Sequence, residues 1–378
     1  MKSHRLFISR IPGYIISRTE RSVPPPPVNL TFSVTQKCNS KCATCGIGEH
    51  GITSGGDLAL PEIEKFLSTA EDVTFFNISG GEPFLRRDLP DICALAARLV
   101  HPDVIHIPTN AILTDRILSD TEEICRRVFP VKVTIKPSMD GVGALHDEIR
   151  GVKGNFEKLM NTYRALISLG KRVSNLETGL GTVVSRFNVD RFSEILDLVR
   201  QLSPDSYITE VAEERAEMTN LGTGITPTAQ QYADILGQLR RYTLDRQADA
   251  RGVARLTLAF RAVYYDLTYR WLQTGDRPLP CWAGTTHAHV APDGEVWACC
   301  VLGGTRAMGH LRDTDMDFGR VWSSATAMDV REYVRQGLCS CPLANQSYAN
   351  MVLSPPAAAR TAGHMIRGTV ARIMNRGV

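Results

Sequence analysis

Short runs rich in β-branched and aromatic residues alternate along the chain with longer stretches whose apolar positions recur at helical spacing. Candidate strands begin near Val28, Val73, Val104, Val131, Glu177 and Asp205, and amphipathic stretches over 60–70, 88–100, 155–169 and 188–202 lie between them. A stripe of apolar residues at i, i+3 and i+4 is what a helix needs to bury one face. Successive strand starts are 27 to 46 residues apart, which brackets the ~30 residues of a strand–helix–strand unit. Six such units predict a parallel α/β array with right-handed crossovers. Periodicity alone leaves open whether the sheet is flat or curved into a partial barrel. In either form, the loops after the strand C-termini are where chemistry sits.

The array is expected over 28–225. Ahead of it, 1–27 reads as a basic amphipathic leader that ends in a stiff proline run at 24–27, of polyproline II character. A helical connector follows over 226–280. The pattern then changes to short strands and turns over 281–350, with Pro292-Asp293-Gly294 as a turn signal, and closes in a basic tail over 351–378.

Hydrophobic residues make up 43% and charged residues 22%, a globular composition that excludes a disordered or fibrous chain. No apolar run nears the ~18 residues of a membrane span, and no secretory signal pattern is present. A cytoplasmic protein is the expectation. The net charge of +3 is uneven: residues 1–22 carry five Lys or Arg and one acid, and 356–378 carry four Arg and no acid. Each end is therefore +4 and the body between them is −5. A mildly acidic body does not fit a nucleic-acid binder. The basic, amphipathic ends read either as interfacial membrane anchors at the inner face of the membrane or as segments that dock on the body.

Ten cysteines in a reducing compartment point to metal binding or catalysis rather than disulfides. Cys38-x3-Cys42-x2-Cys45 follows the first strand in a polar loop. Three thiolates this close can wrap one iron–sulfur cluster and leave one iron without a protein ligand. A zinc site closed by His50 is the alternative. Ser79-Gly80-Gly81-Glu82-Pro83 follows the second strand at the same rim, and paired glycines let a ligand approach the backbone closely.

The two motifs together resemble the radical S-adenosylmethionine superfamily. The resemblance implies a partial (β/α)6 TIM-like barrel, a [4Fe-4S] cluster on Cys38, Cys42 and Cys45, and S-adenosylmethionine chelating the fourth iron. Reductive cleavage would then give methionine and a 5′-deoxyadenosyl radical that takes a hydrogen atom from substrate. The same resemblance gives Gly80, Gly81, Glu82 and Pro83 the methionine amino group. Thr109-Asn110 looks like the family's Thr-Asn-Gly turn with Ala111 in place of the glycine, which makes Asn110 a cofactor contact. Ser138-Met139-Asp140-Gly141, with His146-Asp147 and Arg150-Gly151, is similar to the ribose-contacting segment, and Ser138 is the candidate there. Arg215 is either a partner for the methionine carboxylate or a solvated charge beside Glu213 and Glu214. The residue before the last cluster cysteine is usually large and apolar, and here it is Thr44.

Cys281, Cys299, Cys339 and Cys341 resemble the SPASM or Twitch auxiliary-cluster region, an α+β unit. One auxiliary [4Fe-4S] cluster is expected, with zinc on the same four thiols as the alternative. Cys300 is left over: it could replace Cys299 as ligand, be inert, or give a hydrogen atom to a substrate radical. Cys93 and Cys125 fall on apolar helix faces, as small buried hydrophobes.

The expected function is thus a radical enzyme in which the auxiliary cluster supports oxidation, epimerisation or bond formation, fed by an electron donor such as flavodoxin or ferredoxin. The rival is a non-catalytic zinc or iron–sulfur module on an α/β scaffold. Branch resemblance suggests a peptide or protein substrate. The 27 residues ahead of the first strand leave no room for a winged-helix peptide-recognition domain, which points instead to a glycan, a lipid-linked or a small-molecule substrate.

Overall fold

A computed structural model describes residues 3–51, 55–342 and 344–376. Helix α1 (Ser3–Glu20) precedes β1 (Asn29–Ser33); α2 (Ile47–His50) and α3 (Leu60–Thr69) lead to β2 (Phe75–Ser79), and α4 (Leu89–Leu99) to β3 (Val104–Thr109). Helix α5 (Thr114–Val128) leads to β4 (Lys132–Pro137), α6 (Ala144–Arg150) and α7 (Asn155–Gly170) to β5 (Leu176–Val184), and α8 (Phe192–Leu202) to β6 (Ser206–Val211). Every strand begins within two residues of where the β-rich runs begin. Helices α9 (Ala229–Asp249) and α10 (Gly252–Thr274) come next.

Strands β1 to β6 pair in parallel and in chain order. Successive side chains of a strand point to opposite faces, and this sheet treats its faces differently. Leu30, Phe32, Phe76, Ile78, Ile105, Ile107, Val133 and Ile135 form one apolar core with Ile63, Phe66 and Leu67 of α3 and Ile92 of α4. The alternate residues, among them Thr31, Ser33, Asn77, His106, Lys136 and Glu210, leave the opposite face polar. A parallel sheet buried between apolar layers would be apolar on both faces. Here the inner face is polar instead.

The sheet does not close on itself: the outer edge of β1 takes β7 (His287–Val290) in parallel, and β8 (Glu295–Trp297) and β9 (Ala307–His310) follow antiparallel. The order is β6-β5-β4-β3-β2-β1-β7-β8-β9. The barrel is therefore partial, and the C-terminal unit grows from its open edge. Helices α11 (Phe318–Trp322) and α12 (Ala325–Gln336) pack on β9, while α13 (Ala344–Val352) and α14 (Pro355–Arg376) return to α10.

Helix α1 docks on the body. Tyr14 is fully buried with Val28 and Trp282, and its hydroxyl donates to Pro26 O at 2.6 Å. Arg18 donates from Nη1 to Cys281 O at 2.6 Å, and its guanidinium lies 4.4 Å from the Trp282 ring centre. Ile8, Ile15 and Ile16 stay exposed. Residues 1, 2, 377 and 378 lie outside the described residues, as do the side chains of 3–5 and 367–376, so much of the basic charge at the ends falls there. Among the described residues no helix is long and apolar enough to cross a membrane.

Phe66 is fully buried with its ring centre 5.3 Å from that of Phe32. Phe66→Ala is expected to lower the unfolding free energy by about 3–5 kcal/mol in a denaturant titration. Leu244→Ala, at a partly exposed position of α9, is expected to stay within ~0.5 kcal/mol of the parent.

Candidate active site

Cys38, Cys42 and Cys45 lie in irregular backbone just past β1. Such a loop has no ladder of its own to satisfy its polar groups, and three neighbouring strand-end loops supply the partners. From the β2 side, Gly81 N donates to Thr35 O at 2.9 Å and Glu82 N to Lys37 O at 2.8 Å. The approach is so close that a Cβ on Gly81 would stand 2.1 Å from Lys37 O, and Gly80 takes a φ of +112°. The Glu82 side chain turns inward: its carboxylate accepts from Thr109 Oγ1 at 2.8 Å and from Asn110 N at 2.7 Å. Burial pushes that carboxyl up to about 7, against the pull of those donors. Asn110 Nδ2 then donates to Asn39 Oδ1 at 2.7 Å and Ser40 Oγ at 3.1 Å. Glu82 and Asn110 thus brace the cysteine loop through their side chains.

From the β4 side, Lys41 N donates to Arg150 O and Ala43 N to Ile149 O. Arg150 forms a buried ion pair with Asp140 at 2.9 Å and donates from Nη1 to Cys42 Sγ at 3.6 Å. From the β6 side, Gly46 N donates to Met218 O at 2.8 Å and Asn220 Nδ2 to Thr44 O at 2.9 Å. Thr44 is buried and contributes its carbonyl to this brace.

The three thiols share one low-dielectric site. Burial raises Cys38 and pushes Cys45 up to about 12, and both feel the charge of Cys42. Three cysteines on one loop with a guanidinium beside Cys42 would suit a cationic inorganic centre that takes thiolate ligands. His50, the candidate fourth zinc ligand, is exposed at the end of α2. Among the described residues no three Cys, His, Asp or Glu side chains are arranged to hold a single ion.

In the C-terminal unit, Cys281, Cys299, Cys339 and Cys341 line one cavity together with Arg277. Cys299 has extended backbone, φ −165° and ψ 168°, so the next residue faces the other way. Cys300 accordingly leaves the cavity. Its sulfur accepts from Arg215 Nη1 at 2.7 Å, and Glu217, Glu213 and Glu210 face it electrostatically. Burial pushes this thiol up to about 12, with Arg215 opposing. Arg215 is tied on its other side to Met218 Sδ at 2.6 Å, so it spans the barrel rim and the tail unit.

The remaining candidates fall at the same rim or in the core. Ser138 bridges to Gly181, and its amide donates to Thr109 O at 2.9 Å. Pro83 opens a buried one-turn helix. Cys93 and Cys125 sit in the apolar core of α4 and α5.

Comparison with known proteins fits this geometry. The model of the Radical SAM superfamily matches residues 32–199, and that of an iron-sulfur cluster-binding domain, SPASM, matches 281–342. The chain belongs to the radical SAM superfamily. Within it, the AdoMet-dependent heme synthase of Oleidesulfovibrio alaskensis is 27% identical over 210 residues, 55% of this chain and 51% of that protein. The chain thus spans about half the length of that relative. The mycofactocin maturase MftC of Mycobacterium tuberculosis is 24% identical over 338 residues, 86% of this chain and 78% of its own. Among solved structures, Streptococcus suis SuiB bound to S-adenosylmethionine has a TM-score of 0.59 at 15% identity, covering 90% of this chain and 78% of SuiB. As a radical SAM protein with a SPASM domain, the chain has a [4Fe-4S] cluster, S-adenosylmethionine and auxiliary iron–sulfur as its cofactors.

Sequence reading gave the cysteines but not their supports. Asn39 carried only the signal of a polar loop residue, and Asn220 carried none, because its partner Thr44 O lies 176 residues away. Gly81→Ala is expected to prevent closure of the cysteine loop and to cut the iron bound after anaerobic reconstitution by about half, four of eight irons by cluster count. Gly170→Ala, with open space around it, is expected to leave iron content unchanged.

Proposed function

We propose that this radical SAM enzyme abstracts a hydrogen atom from an unactivated carbon of its substrate and that one auxiliary cluster supports the oxidation, epimerisation or bond formation that follows. When bound, the front cluster and S-adenosylmethionine supply a 5′-deoxyadenosyl radical. The chain's own residues position and shield. Cys38, Cys42 and Cys45 hold the cluster, and the Gly80-Gly81 backbone lies against their loop. Glu82 and Asn110 fix that loop from within, and Ser138 stands at the rim beside it. Arg215 holds Cys300 rather than open solvent, which favours a role in joining the two units over a contact to the methionine carboxylate.

The observation that carries this reading is the three-sided brace around a three-cysteine loop at the C-terminal end of a parallel strand. It builds a site that polypeptide ligands leave open. A single auxiliary cluster is supported by the four thiols on one cavity and by the placement of Cys300 outside it. For the substrate, one relative matched over 72% of the chain, the PqqA peptide cyclase of Streptomyces rochei, 27% identical over 285 residues, is named for a peptide. That supports a peptide over a glycan or a lipid-linked molecule. A small reductant protein of the flavodoxin or ferredoxin class would supply the electron.

Anaerobically reconstituted protein is expected to bind about eight irons and, once reduced, to release 5′-deoxyadenosine from S-adenosylmethionine. Cys42→Ala is expected to abolish the release, and Cys339→Ala to leave some of it uncoupled from substrate. Equal full activity of both variants would overturn the two-cluster reading. Cys299→Ser is expected to lose about four irons while Cys300→Ser keeps all of them; the reverse result in an iron assay would exchange the two assignments.

A further inference from the structure

Away from the cysteine sites, the barrel interior holds charges that nothing above uses. Lys136 of β4 and Arg261 of α10 are 7% and 3% exposed. Among the described residues the Lys136 side chain makes no hydrogen bond or ion pair. Arg261 donates one long hydrogen bond, from Nη1 to Thr209 O at 3.5 Å, and its guanidinium lies 5.4 Å from the Tyr348 ring centre. Room for the lysine stem comes from β5: a Cβ on Gly179 would stand 3.1 Å from Lys136 Cε, and one on Gly181 would stand 3.5 Å from Cδ.

The two cations are near enough to repel one another. Glu210 of β6 offsets them electrostatically but pairs with neither within 4 Å among the described residues. Glu177 of β5, also felt by Lys136, is held by Lys132. His106 of β3 completes the surroundings, with a buried Nε2 that has no partner and an imidazole kept neutral by burial and by Lys136. Burying a cation without a contact partner costs several kcal/mol. Lys136 lacks such a partner and Arg261 has only one long hydrogen bond and ring contacts, so on the polar inner face of the sheet the two are arranged for an anion from outside the chain.

We infer that Lys136 and Arg261 form a recognition site inside the barrel for a carboxylate of the substrate. The inference rests on the proposed enzymatic reading and names the group by which that substrate is held. A guanidinium grips a carboxylate through two parallel hydrogen bonds, and the ammonium adds a point charge. Burial, with Arg261 beside it, brings Lys136 down to about 7. Above that pH the empty site holds a largely neutral amine, and an arriving anion favours the protonated form. Binding at pH 8 therefore takes up close to one proton. Glu210, Glu177, His106 and Arg261 are the other titratable or charged groups facing Lys136.

The test is calorimetry on cluster-loaded protein with S-adenosylmethionine present, at pH 8 in two buffers of different ionisation enthalpy. The probes are acetyl-Ala-Ala with a free carboxylate, its C-terminal amide, and glutarate. The acid is expected to bind at least ten times more tightly than the amide and to take up close to one proton. Glutarate binding more tightly than the peptide acid would assign the site to a free small acid; the opposite order would assign it to a peptide terminus. Lys136→Met and Arg261→Met are each expected to erase the preference for the acid while iron content stays at the parent level. The comparison of acid with amide on the parent protein needs neither variant to fold. Equal binding of acid and amide, or binding of neither, overturns the site. Release of 5′-deoxyadenosine alongside that result would leave the proposed function standing, whereas acid-selective binding without any release would overturn the function alone.

Discussion

The structure depends on one constraint: a loop with no secondary structure of its own must hold three sulfurs at a fixed spacing. Its backbone partners come from the ends of β2, β4 and β6, elements far apart in sequence, which only the curved parallel sheet brings to one rim. Most of these contacts are backbone to backbone or involve a short amide side chain, links with little freedom to move. Gly81 is a glycine for this reason, since the neighbouring carbonyl occupies the space where a Cβ would be. Glu82 is kept as a buried carboxylate because three donors converge on it, which offsets part of the desolvation that drives its pKa upward.

Much of the scaffold was legible before any coordinates. Buried parallel strands need β-branched and aromatic runs, and the runs starting at Val28, Val73 and Val104 sit where strands form. The cysteine motif and the Gly-Gly-Glu-Pro turn are local, and local chemistry survives in a sequence. Long-range pairings do not. Nothing in His287–Val290 says that this strand joins β1, 258 residues earlier by the pairing of Asn29 with His287, because an edge accepts any extended segment of suitable register. The same holds for α1, whose basic amphipathic pattern fits an interfacial anchor and a docked segment alike, while the burial of Tyr14 with Val28 and Trp282 is a long-range contact. It holds again for Lys136 and Arg261, which are unremarkable residues until the fold sets them near one another.

Cys299 and Cys300 illustrate the intermediate case. Two adjacent cysteines leave the choice of ligand open in the sequence, and the choice follows at once when the backbone is known to be extended, since neighbours must then diverge. Cys299 goes to the cavity it shares with Cys281, Cys339 and Cys341, and Cys300 goes to Arg215. The rim arginine, read from sequence as a partner for a cofactor or for solvent, is committed to the tail unit.

That divergence makes a single peptide unit the partition between two compartments. On one side stands a thiol of the tail's cavity, and on the other a guanidinium ringed by glutamates at the mouth of the barrel. So thin a wall between buried groups passes electric field readily. A change of charge on one side of that wall is felt by Arg215 and its carboxylate neighbours on the other without any movement of the chain.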